Sequence, residues 1–315
     1  MRKIITGFFI LLLVLIVQFS ITAEQVIDFE DAALERAIIE TLDKEEGPVY
    51  TDEAEKIESL SAIEAGIEDL SGIENLINLR YLNLYDNEIE SLDKLATLGN
   101  LEKIIFEHNY ISDISAMSDL KNLRVFNFRY NQISDLTPLR DLNKLKVIRL
   151  WGNQVESTSG LDGLVELEIL TLSNNQVNDI SYLENLIKLK ELHLSRNNLY
   201  DIKALGNLDE LEILYLLDNK ITDISHLAGM NRLRELNFAQ NQVEDISVLE
   251  YLESLNEVYF RENLVEDISP VVNNHNIKGV LSFRRNNINL ADSKVQTQIE
   301  ELQDRIKTVR YSPQN

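Results

Sequence analysis

The residue types that carry most acid–base, nucleophilic and metal chemistry are scarce in this sequence. It contains four histidines and no cysteine, which excludes disulfides, cysteine zinc sites and thiol nucleophiles. It has no HExxH, G-x-S-x-G or P-loop motif, the spacings typical of zinc proteases, serine hydrolases and nucleotide-binding enzymes. We therefore expect a protein without catalytic residues, bound metal or cofactor.

One set of carboxylates recurs at a regular spacing. One interpretation is a track for divalent cations, because stacked carboxylates about 5 Å apart repel one another. The other is a series of turn caps, in which each carboxylate accepts backbone N–H hydrogen bonds. Ser157 interrupts the set without interrupting the sequence repeat that it follows, which favours turn caps. The members are Asp113, Asp135, Asp179, Asp201, Asp223, Asp245 and Asp267.

The charge balance limits the class of partner. The chain has 30 basic and 53 acidic residues, a formal net charge of −23. Affinity for nucleic acid requires concentrated lysine and arginine that neutralise phosphates, so we expect no nucleic-acid partner.

The elements that position all these residues come from a repeat of 22 residues. Around each copy the frame L-x-x-L-x-L-x-x-N-x-I-x-D-I recurs, with other apolar residues in some leucine positions. A fixed period in this range with this pattern is typical of leucine-rich repeats. Nine asparagines mark the repeat without a slip: Asn87, Asn109, Asn131, Asn153, Asn175, Asn197, Asn219, Asn241 and Asn263.

Each copy predicts one coil of a solenoid. It begins with a short strand that sends alternate apolar side chains, such as Ile148 and Leu150, into the interior. The asparagine amide can both donate and accept, so it can satisfy the backbone groups of the buried turn that follows. A return path with short 3₁₀ turns closes the coil, and stacking supplies a core that one coil lacks.

The repeat also separates the histidines. His108 and His193 lie four coils apart, about 19 Å at the usual strand spacing, which is too far to share a metal ion or a reacting atom. His226 belongs to a return segment and His275 to an irregular late coil, where we expect structural roles.

Three further segments flank the repeats of residues 57–290, about eleven coils. Residues 1–23 combine the basic MRK with an uncharged apolar stretch, typical of a cleaved secretory signal; a retained N-terminal anchor is the alternative. Residues 24–56 predict a helical cap with a second short helix N-capped by Thr51. Residues 291–315 predict a C-terminal cap in which a helix precedes a last strand, TVRY. Such caps cover the open ends of a solenoid core.

These features together resemble the bacterial internalin-like leucine-rich-repeat proteins. The resemblance rests on the N-x-I-x-D-I-S-x-L coils, with NQISDLTPLRDL and NLVEDISPVV as the closest copies, and covers roughly residues 28–311. It implies a secreted or surface-attached protein that binds other proteins on its concave sheet. Ligand-contacting residues differ between members of that family, so the resemblance assigns none here.

The residues between the buried ones in each strand point out of the sheet. We call this surface, at positions 81, 83 and 85 and their equivalents in every coil, the concave face. Tryptophan, tyrosine and arginine are enriched in interface hot spots, and an apolar cluster rimmed by polar groups indicates a partner site. The alternative is that Trp151 packs over its neighbours as an ordinary sheet-surface residue. The first cluster contains Tyr81, Tyr85, Ile105, Arg129, Arg149 and Trp151, with Tyr130 beside them, and the second contains Tyr215, Leu217, Tyr259 and Arg261.

The sequence thus predicts an α/β solenoid: a leucine-rich repeat with a parallel β-sheet on the concave face, 3₁₀ or irregular return segments, a helical N-terminal cap and a helix-plus-strand C-terminal cap. We expect a secreted or cell-surface monomer that is not an enzyme and binds a protein ligand. It would contact a membrane only through an uncleaved N-terminal segment. The alternatives are a glycan or cell-wall binding module and a surface-tethered spacer. The intracellular phosphatase-regulating class shares the period, but the signal segment argues against it.

Overall fold

The computed structural model describes residues 25–314. The predicted signal segment, residues 1–23, lies outside the described residues. Twelve short strands occur in the described part: β1 (Ser59–Ser61), β2 (Tyr81–Asn83), β3 (Lys103–Ile105), β4 (Val125–Asn127), β5 (Val147–Arg149), β6 (Ile169–Thr171), β7 (Glu191–His193), β8 (Ile213–Tyr215), β9 (Glu235–Asn237), β10 (Glu257–Tyr259), β11 (Val280–Ser282) and β12 (Thr308–Arg310).

These strands form one parallel sheet whose order follows the chain from β1 to β12. From β1 to β10 the paired residues keep the spacing of the sequence repeat, as Tyr81 and Lys103 do. The spacing is slightly longer between β10 and β11, where Val258 pairs with Leu281. It is longer again between β11 and β12, where Leu281 pairs with Val309. The predicted solenoid with its closing strand is confirmed.

The core lies between the sheet and the return segments. The central residue of each repeat strand is buried, and the apolar residues of all coils form one contiguous cluster. Aromatic rings extend this packing from coil to coil: Phe238 stacks on Phe260 at 5.5 Å and Phe260 on Phe283 at 5.7 Å between ring centroids. Each coil therefore buries its apolar side chains against the neighbouring coils rather than within itself.

The return segments contain short 3₁₀ helices, and each recurring aspartate caps the turn that leads into a helix from Ser115 onward. Each carboxylate accepts a hydrogen bond from the backbone N–H two residues later, at 2.8 to 2.9 Å. This confirms the turn-cap interpretation. The helices are Ile73–Asn75, Asp93–Leu95, Ser115–Asp119, Thr137–Leu139, Ser181–Leu183, Lys203–Leu205, Ser225–Leu227 and Ser247–Tyr251; the α-helix α3 (Ser269–Asn273) takes this place in a later coil.

The return segment between β5 and β6 departs from this pattern. The Ser157 hydroxyl replaces the aspartate and accepts from the Ser159 N–H at 3.2 Å. Gly160 has a φ of 97°, and a Cβ there would lie 2.5 Å from the carbonyl oxygen of Leu136. Only glycine allows the chain to pass this close to the preceding coil.

The side chains of the recurring asparagines join each coil to the one before it. The Asn153 amide donates to the carbonyl oxygens of Phe128, at 2.8 Å, and Leu150, at 3.1 Å, and accepts from the Ile133 N–H at 2.9 Å. The other eight asparagines and Asn286 make the same pair of bonds to the preceding coil. Eight of the nine predicted asparagines are buried, and Asn175 is half-buried.

Helices close both ends of the core. Before the sheet, α1 (Ala32–Thr41) is N-capped by Asp31 and buries Leu34 and Ile38, and α2 (Thr51–Ala54) follows it. The expectation that Thr51 caps α2 was wrong by one residue, because the cap is Tyr50 and its N–H donates to the Glu53 carboxylate at 3.0 Å. After the repeats, α4 (Ser293–Arg305) buries Ile299 and Leu302.

Replacing one bridging asparagine tests how strongly the coils are coupled. We expect Asn153→Ala to lower the free energy of unfolding by about 2–4 kcal/mol. It leaves the buried Ile133 N–H without a partner and removes one of the two side-chain hydrogen bonds at each of the Phe128 and Leu150 carbonyl oxygens. Urea unfolding followed by circular dichroism measures this. Asn178→Ala is the matched control, since Asn178 is exposed and its loss should change stability by less than about 0.5 kcal/mol. Equal effects of the two substitutions would contradict a bridging role.

Candidate functional site

The concave face carries the nine residues that the sequence predicted for partner binding. Eight are half-buried, and Tyr130 is 41% exposed. Some of them lie on strands, as Arg149 does on β5 and Tyr215 on β8. Others, such as Trp151, lie just after the strand of their coil. The full set is Tyr81, Tyr85, Arg129, Tyr130, Arg149, Trp151, Tyr215, Tyr259 and Arg261.

Four rings from four consecutive coils form a continuous chain, which we call the aromatic row: Tyr85, His108, Tyr130 and Trp151. The ring centroids are 5.6 Å apart for Tyr85 and His108, 4.1 Å for His108 and Tyr130, and 4.4 Å for Tyr130 and Trp151. Trp151 therefore extends an aromatic surface instead of standing alone. Tyr81 lies apart from the row, with the Lys103 ammonium 5.0 Å from its ring centroid.

The backbone explains where this row runs. His108, Tyr130 and Gly152 each precede a bridging asparagine and adopt positive φ angles of 58°, 52° and 72°. Such angles are uncommon for a bulky side chain. A Cβ on Gly152 would lie 3.3 Å from the Tyr130 ring, so the glycine leaves room for that ring against Trp151.

Polar side chains lie beside the aromatic row on the same face. We call Arg129, Arg149, Thr171 and His193 the polar strip; the last three are register partners on β5, β6 and β7. An Nη atom of Arg129 lies 3.9 Å from the Glu107 carboxylate. The Arg149 guanidinium has no ion pair or hydrogen bond among residues 25–314, and burial, followed by the charge of Arg129, lowers its pKa.

The polar strip contains unpaired buried atoms. Arg129 Nε, Thr171 Oγ1 and His193 Nε2 are three of the four buried side-chain polar atoms without a protein partner in the described part of the chain. Buried polar atoms are normally bonded to protein, water or ligand. The three atoms of the polar strip therefore mark an area of the concave face where a bound molecule can supply the hydrogen-bond partners that the protein does not.

The second predicted cluster is different, because its polar groups already have partners. The Tyr215 hydroxyl donates to Glu235 at 2.7 Å and the Tyr259 hydroxyl to Glu257 at 2.7 Å. Burial and the bond to Glu257 raise the pKa of Tyr259 to about 12. The Arg261 guanidinium lies 2.5 Å from the Glu262 carboxylate.

Sequence reasoning missed three members of these groups. His108 was assigned no binding role, although its position directly before Asn109 is equivalent to that of Tyr130. Thr171 and His193 were placed on the outward side of strands but not selected. Their burial depends on how neighbouring side chains cover them, and the repeat pattern does not record that.

The site offers no evident means to hold a metal. Across residues 25–314, no group of three or more histidine, aspartate or glutamate side chains could bind a metal ion. Within the same range, no helix is long and apolar enough to span a bilayer.

The burial of His193 predicts a pH dependence. Burial lowers the pKa of His193, opposed by Glu191 and reinforced by Arg129 and Arg149. The unfolded state therefore takes up a proton below about pH 6.5, before the folded state does, and stability falls from there to the folded-state pKa. We expect His193→Gln to lose less stability than the unmodified protein between about pH 7.5 and about pH 5.5.

Urea unfolding at each pH measures this difference. The control is His275→Gln, at an exposed histidine between β10 and β11, which should retain the full pH dependence. A His193→Gln profile parallel to that of the unmodified protein would show that His193 does not resist protonation in the fold.

With this geometry established, comparison with known proteins gives the family. A family model described as Leucine Rich repeats (2 copies) matches residues 99–141, 143–185 and 187–229. No curated protein matches the sequence significantly. A plant receptor kinase ectodomain from Arabidopsis thaliana, at 18% identity and a TM-score of 0.66 over 79% of this chain and 34% of that chain, shares the fold.

Two solved structures from Listeria monocytogenes carry the assignment. An internalin, InlF, is 28% identical over 91% of this chain and 90% of that chain, with a TM-score of 0.75. Internalin C2 is 34% identical over 68% of this chain and 94% of that chain, with a TM-score of 0.62. The chain belongs to the internalin-like leucine-rich-repeat proteins.

Proposed function

We propose that the protein binds a protein partner through the concave face, at the aromatic row and the polar strip. The observation that carries this proposal is the coincidence of unpaired buried atoms with an aromatic surface. Arg129 Nε, Thr171 Oγ1 and His193 Nε2 lack protein partners in the described chain. The aromatic row ends at Trp151, on the coil between those of Arg129 and Thr171.

The two groups supply complementary parts of an interface. The aromatic row offers apolar area that gains free energy when a partner removes it from water. Arg149 offers charge-assisted hydrogen bonds to a carboxylate of the partner. A half-buried, unpaired guanidinium beside partly exposed aromatic rings is the combination found at interface hot spots.

The proposed role is recognition without catalysis. Thr171 and His193 lie on adjacent strands, which is the one place on the strip where a nucleophile could meet a base. Both Thr171 Oγ1 and His193 Nε2 are without a hydrogen-bond partner in the described chain, so they do not form such a pair. This supports a binding module rather than an enzyme.

We propose further that the protein is exported and acts outside the producing cell as a monomer. Support comes from the sequence of residues 1–23, which has the basic start and apolar stretch of a secretory signal. The proposed organisation is this signal, an N-terminal cap to residue 56, repeats over 57–290 and a C-terminal cap over 291–315.

Paired substitutions on and off the concave face test the binding site. We expect Trp151→Ala and Arg149→Gln each to weaken capture of a protein ligand by at least about tenfold, as hot-spot losses do. The immobilised protein is presented with extracellular and membrane proteins, captured species are identified by mass spectrometry, and their affinities are then measured by surface plasmon resonance.

Tyr251→Ala is the matched control, because Tyr251 is an aromatic residue that is 69% exposed on a return segment. It should leave capture unchanged, and all variants should melt at the same temperature as the unmodified protein. Identical capture by the Trp151→Ala protein would place the interface elsewhere. Selective retention on cell-wall glycan with no protein ligand would instead identify a glycan-binding module. Recovery of Met1-containing chains in membranes, without any ligand, would identify a tethered spacer.

A further inference from the structure

A second site lies at the C-terminal end of the concave face, where the regular repeat stops. A cavity of about 380 Å³ opens there between β10, β11, β12 and the residues after β12. We call it the arginine pocket, because Arg261, Arg284, Arg285 and Arg310 line it. Only Arg261 of these four belongs to the residues that the sequence selected.

The C-terminal cap builds this pocket. The strand β12 pairs with β11 so that Arg310 lies beside Ser282, and Pro313 closes the rim. The apolar part of the wall comes from Leu217 and Ala239 of earlier coils. A coil that simply continued the regular repeat would not bring Arg310 to this point, because the connection between β11 and β12 is longer than one repeat and contains α4.

The lining of the pocket is positively charged, whereas the protein as a whole is negatively charged. Its lining includes four arginines and one carboxylate, Glu262, in a chain with a formal net charge of −23. Glu262 accepts from Arg261 at 2.5 Å and from Arg285 at 3.2 Å, which holds those two guanidinium groups in place.

The other two arginines lack such a partner. Among residues 25–314, the Arg284 and Arg310 guanidinium groups make no ion pair or hydrogen bond. Both side chains are exposed at the pocket. The guanidinium groups of Arg284 and Arg310, beside the two that Glu262 holds, give an array of donors suited to a carboxylate. Guanidinium binds a carboxylate through paired hydrogen bonds.

We propose that the arginine pocket binds a carboxylate of a short acidic segment in the protein partner. This inference rests on the proposed function and adds a second contact to it. The volume suits one or two side chains, and the apolar wall of Leu217 and Ala239 suits the carbon atoms of a peptide. Long polyanions are disfavoured, because the net negative charge of the chain repels charge that extends beyond the pocket.

The spacing allows one partner to reach both contacts. Trp151 and Arg261 lie five coils apart, about 24 Å at the usual strand spacing. An extended segment of about seven or eight residues spans that distance. The pocket therefore extends the recognition surface along the sheet to its C-terminal end.

Peptide probes test the pocket without knowledge of the partner. The probes are acetyl-Gly-Leu-Asp-Glu-Gly-amide, its Asn-Gln counterpart, and a third peptide with neutral side chains and a free C-terminal carboxylate. Binding to the full protein is followed by NMR of the arginine Nε–H groups. We expect the Asp-Glu peptide to shift the signals of Arg261, Arg284 and Arg310. The neutral amidated peptide should shift none.

Substitution of the two unpaired arginines gives the matched comparison. We expect the double variant Arg284→Gln, Arg310→Gln to bind the Asp-Glu peptide at least about tenfold more weakly than the unmodified protein does, since hydrogen bonds to charged groups are among the stronger ones. The control is Arg140→Gln with Arg232→Gln, which changes the net charge equally at exposed arginines paired with Asp162 and Glu210.

Several results would overturn the assignment. They are equal binding of the neutral peptide, equal binding by the pocket variant and the control, or no binding at millimolar concentration. Displacement of these NMR signals by a sulfated oligosaccharide but by none of the peptides would assign the pocket to another anion. Signal shifts with the free-terminus peptide but not with the Asp-Glu peptide would assign the pocket to a chain terminus rather than to an acidic segment.

The outcome is separable from that of the proposed function. Trp151→Ala should leave peptide binding at the pocket unchanged, because the two sites are about 24 Å apart. If the pocket variant captures the protein ligand with unchanged affinity while Trp151→Ala does not, the interface at the aromatic row stands and the pocket assignment fails.

Discussion

The hydrogen bonds between each bridging asparagine and the preceding coil are the interaction on which the rest of the structure depends. One amide satisfies a carbonyl oxygen just after the previous strand and an N–H group of the previous turn, as Asn109 does for Leu84 and Ile89. These backbone groups are buried and would otherwise lack partners. A coil is therefore complete only when the next coil is present, which fixes both the period and the register.

The same turn creates the recognition surface. The residue before each asparagine adopts a positive φ, so its side chain lies at the rim of the sheet beside the residue that ends the strand. When His108 and Tyr130 occupy this position in consecutive coils, their rings stack, and Gly152 then leaves space for Tyr130 beside Trp151. The fold thus sets the backbone conformation at this position, and the aromatic row forms because aromatic side chains occupy it in consecutive coils.

The period was sufficient to predict the solenoid, the strands, the aspartate turn caps and the outward direction of Trp151. Features that depend on contact between side chains were out of reach. The stacking of His108 on Tyr130 and the unpaired atoms of Thr171 and His193 depend on rotamers, which a pattern of residue types does not specify. The arginine pocket was missed for another reason. The connection that leads to β12 is longer than one repeat, so Arg310 falls outside the alignment by which the other outward residues were read.

The distribution of charge restricts the kind of partner that can bind. At the beginning of the strands, lysine and arginine flank a glutamate in consecutive coils, as Arg80 and Arg124 flank Glu102. Those charges neutralise one another, whereas the pocket places four arginines beside a single carboxylate, Glu262. A strongly acidic partner is repelled by the protein as a whole, so the matching surface needs a few carboxylates at defined points. A partner that already holds its acidic segment in an extended conformation places carboxylates at such points with less loss of conformational entropy than a flexible segment does.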